Sequence, residues 1–401
     1  MLTTRALQQL AELDLTEHVA GTVRARIRVQ PHEDLLVVHD LGLGIEPWHD
    51  FVAGVAPASL TLAGLTVRRT VGSALDIGTG CGAQALLAAG HSGRVVGVDV
   101  NPRAIEFATA GAVLSGLDNI EWRLGDFFGP VEGERFDLVV ANPPFVLAPE
   151  RKLLFRDSPQ PRDEVSRKVV AEIPRFLADG GYGHILCNWV RRAGEDASAA
   201  PSVWLEGSGC DVWLLHYLTE DVLTYATGWN RELSGNLPVF ANELELWLDS
   251  FAAEGIESVA TGVIVLRRRD GANWFRVDEM PYGPTGSGSE HILRVFAAND
   301  DLATLSDDQA LQARFEPVDG FWLEERSVYR DGCHELMAAQ LRPRQGVGVR
   351  GRLSERALAL VRRLDGKHSL RQLVDETHAE ELLAAVKDLY GAGFLIRHGK
   401  A

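Results

Sequence analysis

The sequence predicts an α/β fold, a doubly wound, seven-stranded, mostly parallel sheet. Three observations carry this expectation. Short continuous apolar runs alternate with helical segments from Ser73 onward, the pattern of strands covered on both faces. A glycine-rich turn, Gly78-Thr79-Gly80-Cys81-Gly82, follows the first run. Asp76, Asp99 and Asp126 stand at the ends of successive runs, at the sheet edge where open α/β folds bind ligands.

Taken in order, residues 1–70 read as a small N-terminal α/β unit, for substrate recognition or as a lid. Leu7, Leu10 and Leu13 recur at helical spacing, and Leu35-Leu36-Val37-Val38 reads as a strand. Trp48 and His49 are candidate lid residues. The sheet domain is expected over 71–270. Its strands are Ser73–Ile77, Arg94–Asp99, Ile120–Leu124, Phe136–Ala141, Gly183–Trp189, Asp211–Tyr217 and Val259–Arg268. Helices are expected at Ala83–Ala89, Pro102–Ser115, Glu164–Phe176 and Asn242–Glu254, Pro102 being in a favoured first-turn position. Residues 271–345 form a connecting region containing a flexible Gly283-Pro284-Thr285-Gly286-Ser287-Gly288 loop. Residues 346–401 read as three short helices and a strand, a winged-helix-like unit.

Composition bounds the function. The 401 residues can bury a sizeable core, and the formal net charge is −16. Such a surface repels phosphate backbones, which argues against DNA as a partner and leaves room only for a local RNA site. Cys81, Cys187, Cys210 and Cys333 are scattered, so no zinc site, other metal site or disulfide framework is expected. Residues 1–10 carry no signal-like apolar core and no run nears 18 apolar residues. A cytoplasmic protein with no membrane span is expected. Nothing in the sequence sets an oligomeric state.

The glycine turn lacks Cβ atoms where a ligand approaches the backbone, and the helix start behind it presents unpaired N–H groups suited to a carboxylate. Alone, Gly78-x-Gly80-x-x-Ala83 also fits a dinucleotide fingerprint. Asp99, about twenty residues on, stands where a carboxylate accepts from both hydroxyls of a ribose. Asp126 can accept from an adenine amino group, and Phe127 can cover the ring.

Asn142-Pro143-Pro144-Phe145 closes the fourth strand. Two prolines end the sheet ladder and stiffen the turn. The Asn142 amide oxygen and the Pro143 carbonyl are two acceptors, enough to hold both hydrogens of an NH₂ group. Phe145 can stack on a planar substrate.

Residues 73–269 resemble class I S-adenosylmethionine-dependent methyltransferases with a Rossmann-like sheet. The ordered set Asp76, Gly78, Gly80, Gly82, Asp99, Asp126, Phe127 and Asn142 to Phe145 is similar to that of protein-glutamine N5-methyltransferases and rRNA guanine-N2 methyltransferases. The resemblance implies seven strands, the last antiparallel. It also implies S-adenosyl-L-methionine held across Asp76, Gly78, Gly80, Gly82, Asp99, Asp126, Phe127 and Asn142. Asn142, Pro143, Pro144 and Phe145 then serve the reaction, which needs alignment of nitrogen and methyl group more than a base. The glutamine enzymes more often carry Tyr where Phe145 stands, and a longer helical domain where residues 1–70 stand.

The expected activity is methylation of a planar amide or amino nitrogen, on a protein or peptide. RNA base methylation is the alternative, supported by Arg350, Arg352, Arg356, Arg362, Arg363 and Arg371 near the C-terminus. Natural-product tailoring and a cofactor-binding fold without chemistry are further alternatives. Arg156, Asp157 and Trp189 are candidate pocket residues at the same sheet edge, and Arg267-Arg268-Arg269 reads as a solvated edge.

Overall fold

The computed structural model describes Arg5, Glu12 and residues 15–19, 21–42, 49–150, 152–158 and 162–399. The chain forms two compact units, one of residues 1–63 and 68–277, the other of residues 64–67 and 278–401.

The first unit is built on a sheet whose strands we label β1 (Val71–Ile77), β2 (Ser92–Asp99), β3 (Ile120–Leu124), β4 (Phe136–Ala141), β5 (Leu177–Arg191), β6 (Cys210–Asp221), β7 (Ser258–Arg268) and β8 (Phe275–Glu279). The spatial order is β8-β6-β7-β5-β4-β1-β2-β3. Strands β1 to β5 pair in parallel. Strand β7 runs antiparallel to both β5 and β6, between which it lies. The strand order reverses at β1, which opens a crevice at the carboxyl ends of β1, β2 and β4.

The sheet thus holds eight strands where seven were expected. Phe275–Glu279 adds the outermost one, and nearby the Trp274 carbonyl accepts from the Val212 N–H at 2.8 Å. The core lies on both sheet faces. Leu75, Val139, Ile185 and Ile264 are 1% exposed or less and pack with Val169 and Ile173 of helix Glu164–Phe176. Each such side chain contributes about 1.5–3 kcal/mol by leaving water.

The N-terminal strands pair as two hairpins, Thr16–Val19 with Thr22–Ala25 and Ile27–His32 with Leu35–Asp40. They were expected within a separate 1–70 unit. They belong to the sheet unit because the second hairpin bonds into it: the Leu36 N–H donates to Ser115 Oγ at 3.0 Å, beyond the end of helix Pro102–Leu114. Leu7, Leu10, Leu13 and Trp48 lie outside the described residues.

In the second unit, the region expected as a connector is structured. It holds helices Ser289–Leu302 and Asp307–Gln312, the latter opened by a Ser306–Gln309 capping box, and a long hairpin of Phe321–Arg330 with Cys333–Pro343. Helices Glu355–Val361, Leu370–Leu373 and Ala379–Gly391 precede strand Leu395–His398 as expected. That strand pairs with Arg314–Pro317, so the unit draws on residues well before 346. Among the described residues, no helix is long and apolar enough to cross a membrane.

Candidate active site

The glycine turn takes its shape from alternating backbone signs. Gly78, Gly80 and Gly82 have φ of 70°, 53° and 82°, a region that favours glycine. Gly80 has no atom within 4 Å of where a Cβ would stand. A Cβ on Gly82 would meet that of Ala108 at 2.9 Å. Gly82 therefore lets helix Pro102–Leu114 approach the turn, and it is not among the residues that line the cavity described below.

Asp76 is 2% exposed. Its Oδ2 accepts from Thr79 Oγ1 at 2.6 Å and from the Ala85 N–H at 3.1 Å, tying strand β1 to the first turn of helix Ala83–Ala89. Burial pushes its carboxyl up to about 7, against the two hydrogen bonds. The fold thus favours the neutral acid. Stability from this residue is whole below about pH 4 and is lost as pH rises through about 7, on the order of 4 kcal/mol in all. Asp76→Asn is expected to flatten the rise in thermal midpoint that the parent protein shows as pH falls from 7 to 5. An unchanged pH dependence in the variant would refute the assignment.

Asp99 ends β2. Its Oδ2 accepts from the Gly80 N–H at 2.8 Å and its Oδ1 from the Asn101 N–H at 2.9 Å. Each oxygen keeps a further lone pair. Burial raises its pKa despite these bonds, so further donors such as two ribose hydroxyls would stabilise the anion. Asp126 has a side chain 69% exposed, with Lys168 Nζ 3.9 Å away. Phe127, half-buried with φ of 43°, carries Lys168 over its ring at 5.1 Å.

The Asn142–Phe145 turn follows β4. Pro143 is buried, and Asn142, Pro144 and Phe145 are half-buried. Among the described residues the Asn142 side-chain amide makes no hydrogen bond. The turn is braced from below: the Leu147 N–H donates to Tyr225 Oη at 3.2 Å, and Asn188 Nδ2 donates to the same oxygen at 3.0 Å. Tyr225 belongs to helix Val222–Trp229, which packs with Trp247 and Phe251 of helix Leu237–Ala253.

These elements enclose one cavity of about 320 Å³. Asp76, Gly78, Gly80, Asp99, Asp126, Phe127 and Asn142 through Phe145 all line it. Of the residues expected to hold the cofactor or serve the reaction, only Gly82 does not. Sequence reasoning missed three aromatic walls, Phe51, Phe155 and Trp229, and the polar Thr79 and Asn101. Phe51 and Phe155 pair at 5.6 Å between ring centroids. Arg156 lines the cavity beside Trp229, 5.9 Å from its ring. Asp157 is wholly buried and accepts from the Lys152 and Leu153 N–H groups, which holds the loop after the turn. His49 is exposed and lies outside the lining, its carbonyl accepting from the Leu154 N–H at 3.3 Å. Trp189 is fully buried in the sheet core. Arg267 and Arg269 form ion pairs with buried Asp211, and Arg268 with Asp179, so that run is a structural cluster more than a solvated edge.

Sheet order, glycine turn and strand-end residues form a Rossmann-like, doubly wound arrangement with its cavity at the carboxyl edge of the sheet. Residues 71–200 match the family model described as "Methyltransferase domain". The chain is similar to a ribosomal RNA small subunit methyltransferase C of Alcanivorax borkumensis, 34% identical over 119 residues, 29% of this chain and 32% of that protein. It is also similar to a release factor glutamine methyltransferase of Vibrio cholerae, 33% identical over 124 residues, 28% of this chain and 43% of that protein. A ribosomal protein uL3 glutamine methyltransferase of Bradyrhizobium diazoefficiens is 34% identical over 151 residues, 33% of this chain and 46% of that protein. The chain spans between about a third and a half of the length of these relatives.

Proposed function

We propose that the protein transfers a methyl group from S-adenosyl-L-methionine to a planar amide or amino nitrogen, on a protein or peptide. The observation that carries this reading is that Asn142, whose side-chain amide makes no hydrogen bond among the described residues, lines the same cavity as Asp99 and the glycine turn. When bound, the cofactor supplies an electrophilic methyl group. Gly78 and Gly80 would leave room for it against the backbone, Asp99 would accept from its ribose, and Phe127 would cover its ring. Asn142 and the Pro143 carbonyl hold the two hydrogens of the acceptor NH₂, which directs the nitrogen lone pair. Phe145 and the Phe51–Phe155 pair exclude water around it.

A protein acceptor is favoured over RNA by charge. Residues 221–257 carry seven acidic residues and one basic one, and Trp229 from this segment lines the cavity. Phosphate would be repelled there. The C-terminal arginines offer little in compensation. Arg350 and Arg352 pair with Glu279, Arg356 with Glu381, Arg362 with Glu325 and Arg371 with Asp308, while Arg363 donates to the Leu373 carbonyl.

The test is incubation of purified protein with methyl-labelled cofactor in nuclease-treated and protease-treated cell extract. Label is expected in protease-sensitive material. Label lost only to nuclease would replace the protein acceptor with RNA, and no transfer to any fraction would count against the activity.

A further inference from the structure

We propose that Asn101 is a positioning residue that couples cofactor binding at Asp99 to the acceptor-side wall of the same cavity. The proposal rests on the methyltransferase reading above. Asn101 is 5% exposed and lines the cavity. Its backbone N–H donates to Asp99 Oδ1 at 2.9 Å, and its Nδ2 donates to the Asp50 carbonyl at 2.9 Å. One residue thus touches both the carboxylate assigned to ribose and the segment that carries Phe51.

A second path runs beside the first. Asn101 Oδ1 accepts from the Arg103 N–H at 3.0 Å. The Arg103 guanidinium grips Asp40 through Nε and NH2, the latter at 2.6 Å. Asp40 is 1% exposed, and its Oδ2 accepts from the Val52 N–H at 2.8 Å while the Asp40 N–H donates to the Val52 carbonyl at 3.0 Å. Phe51 is therefore held from both sides, through Asp50 and through Val52. Its ring meets Phe155 of the loop that follows the Asn142–Phe145 turn.

The physical consequence follows from hydrogen-bond geometry. Ribose hydroxyls on Asp99 favour its ionised form, which strengthens the bond from the Asn101 N–H. Residue 101 cannot shift without moving the Asp50 carbonyl. Cofactor binding then restrains residues 50–54, and an acceptor meets a wall already set. By linkage, any acceptor that presses on Phe51 tightens cofactor binding by the same factor.

Asn101→Ser separates coupling from folding. Serine remains a good helix cap but is too short to reach the Asp50 carbonyl. The experiment is hydrogen–deuterium exchange on the full chain with and without S-adenosylhomocysteine. In the parent protein, the ligand is expected to slow exchange at both the glycine turn, residues 78–82, and the wall, residues 50–54, the latter by about fivefold or more. In Asn101→Ser, held at a ligand concentration that calorimetry shows to saturate the variant, protection of 78–82 is expected to persist and protection of 50–54 to fall below about twofold. Equal protection of 50–54 in both proteins overturns the coupling. So does protection of 78–82 alone in the parent. Absence of protection at both segments in the parent overturns the cofactor assignment, and the coupling with it.

Discussion

Asn142→Ala is expected to lower kcat by about 10²–10³-fold while leaving cofactor affinity within about twofold. The size follows from what is lost. The side-chain amide makes no hydrogen bond to the described residues, and Asn142 lines the same cavity as the glycine turn. Removing it leaves one acceptor, the Pro143 carbonyl, for two N–H groups. The acceptor nitrogen can then rotate, and its lone pair is no longer directed. The fold should not suffer, because Tyr225 Oη and buried Asp157 hold the turn and the loop after it without help from Asn142. Single-turnover kinetics with a saturating labelled cofactor, beside calorimetry with S-adenosylhomocysteine, separates the two quantities. A variant with full turnover would remove the turn from the chemistry.

Asp99→Ala is expected to weaken S-adenosylhomocysteine binding by about 10²–10³-fold. That corresponds to two hydrogen bonds to a charged acceptor at about 1.5–2 kcal/mol each. Asp99→Asn, which keeps one acceptor oxygen, should fall between. The sign of the pH dependence follows from burial. The Asp99 carboxyl titrates above its usual range, and the ribose needs the ionised form. Affinity should therefore drop as pH falls through that raised pKa, and this drop should vanish in Asp99→Asn. Calorimetry across the acid range reads both, and an Asp99→Ala protein of undiminished affinity would end the assignment.

The parts of the fold that were legible are those where local chemistry and buried position agree. Ile120–Leu124, Phe136–Ala141 and Glu164–Phe176 have the spans their apolar patterns predict. Strand β5 starts six residues before the expected Gly183, because Leu177 already pairs with Phe136 and the turn-like Ala178-Asp179-Gly180-Gly181 is skipped by the ladder before it resumes at Leu138 and Tyr182. Helix Leu237–Ala253 begins five residues before the expected Asn242, since Pro238 is tolerated in a first turn. In the site, residues that follow a strand end were readable one by one. The walls were not. Phe51, Phe155 and Trp229 come from three distant segments, and no local pattern joins them. Asp76 was recognised, but its carboxylate serves the turn and the helix start rather than facing outward alone.

The position of β7 bears on how the protein is made. This strand lies between β5 and β6, both synthesised before it. Until Ser258–Arg268 leaves the ribosome, the inner edges of β5 and β6 have no partner, and helices Val222–Trp229 and Leu237–Ala253 lack the strand that closes the unit behind them. The nascent chain therefore carries two open, strongly apolar strand edges for the time needed to add some forty to eighty residues, several seconds at about 5–20 residues per second. Pairing across that separation is slow to nucleate. Chaperone dependence in vivo should concentrate in this interval, and chains truncated before residue 258 should aggregate rather than accumulate as a smaller folded domain.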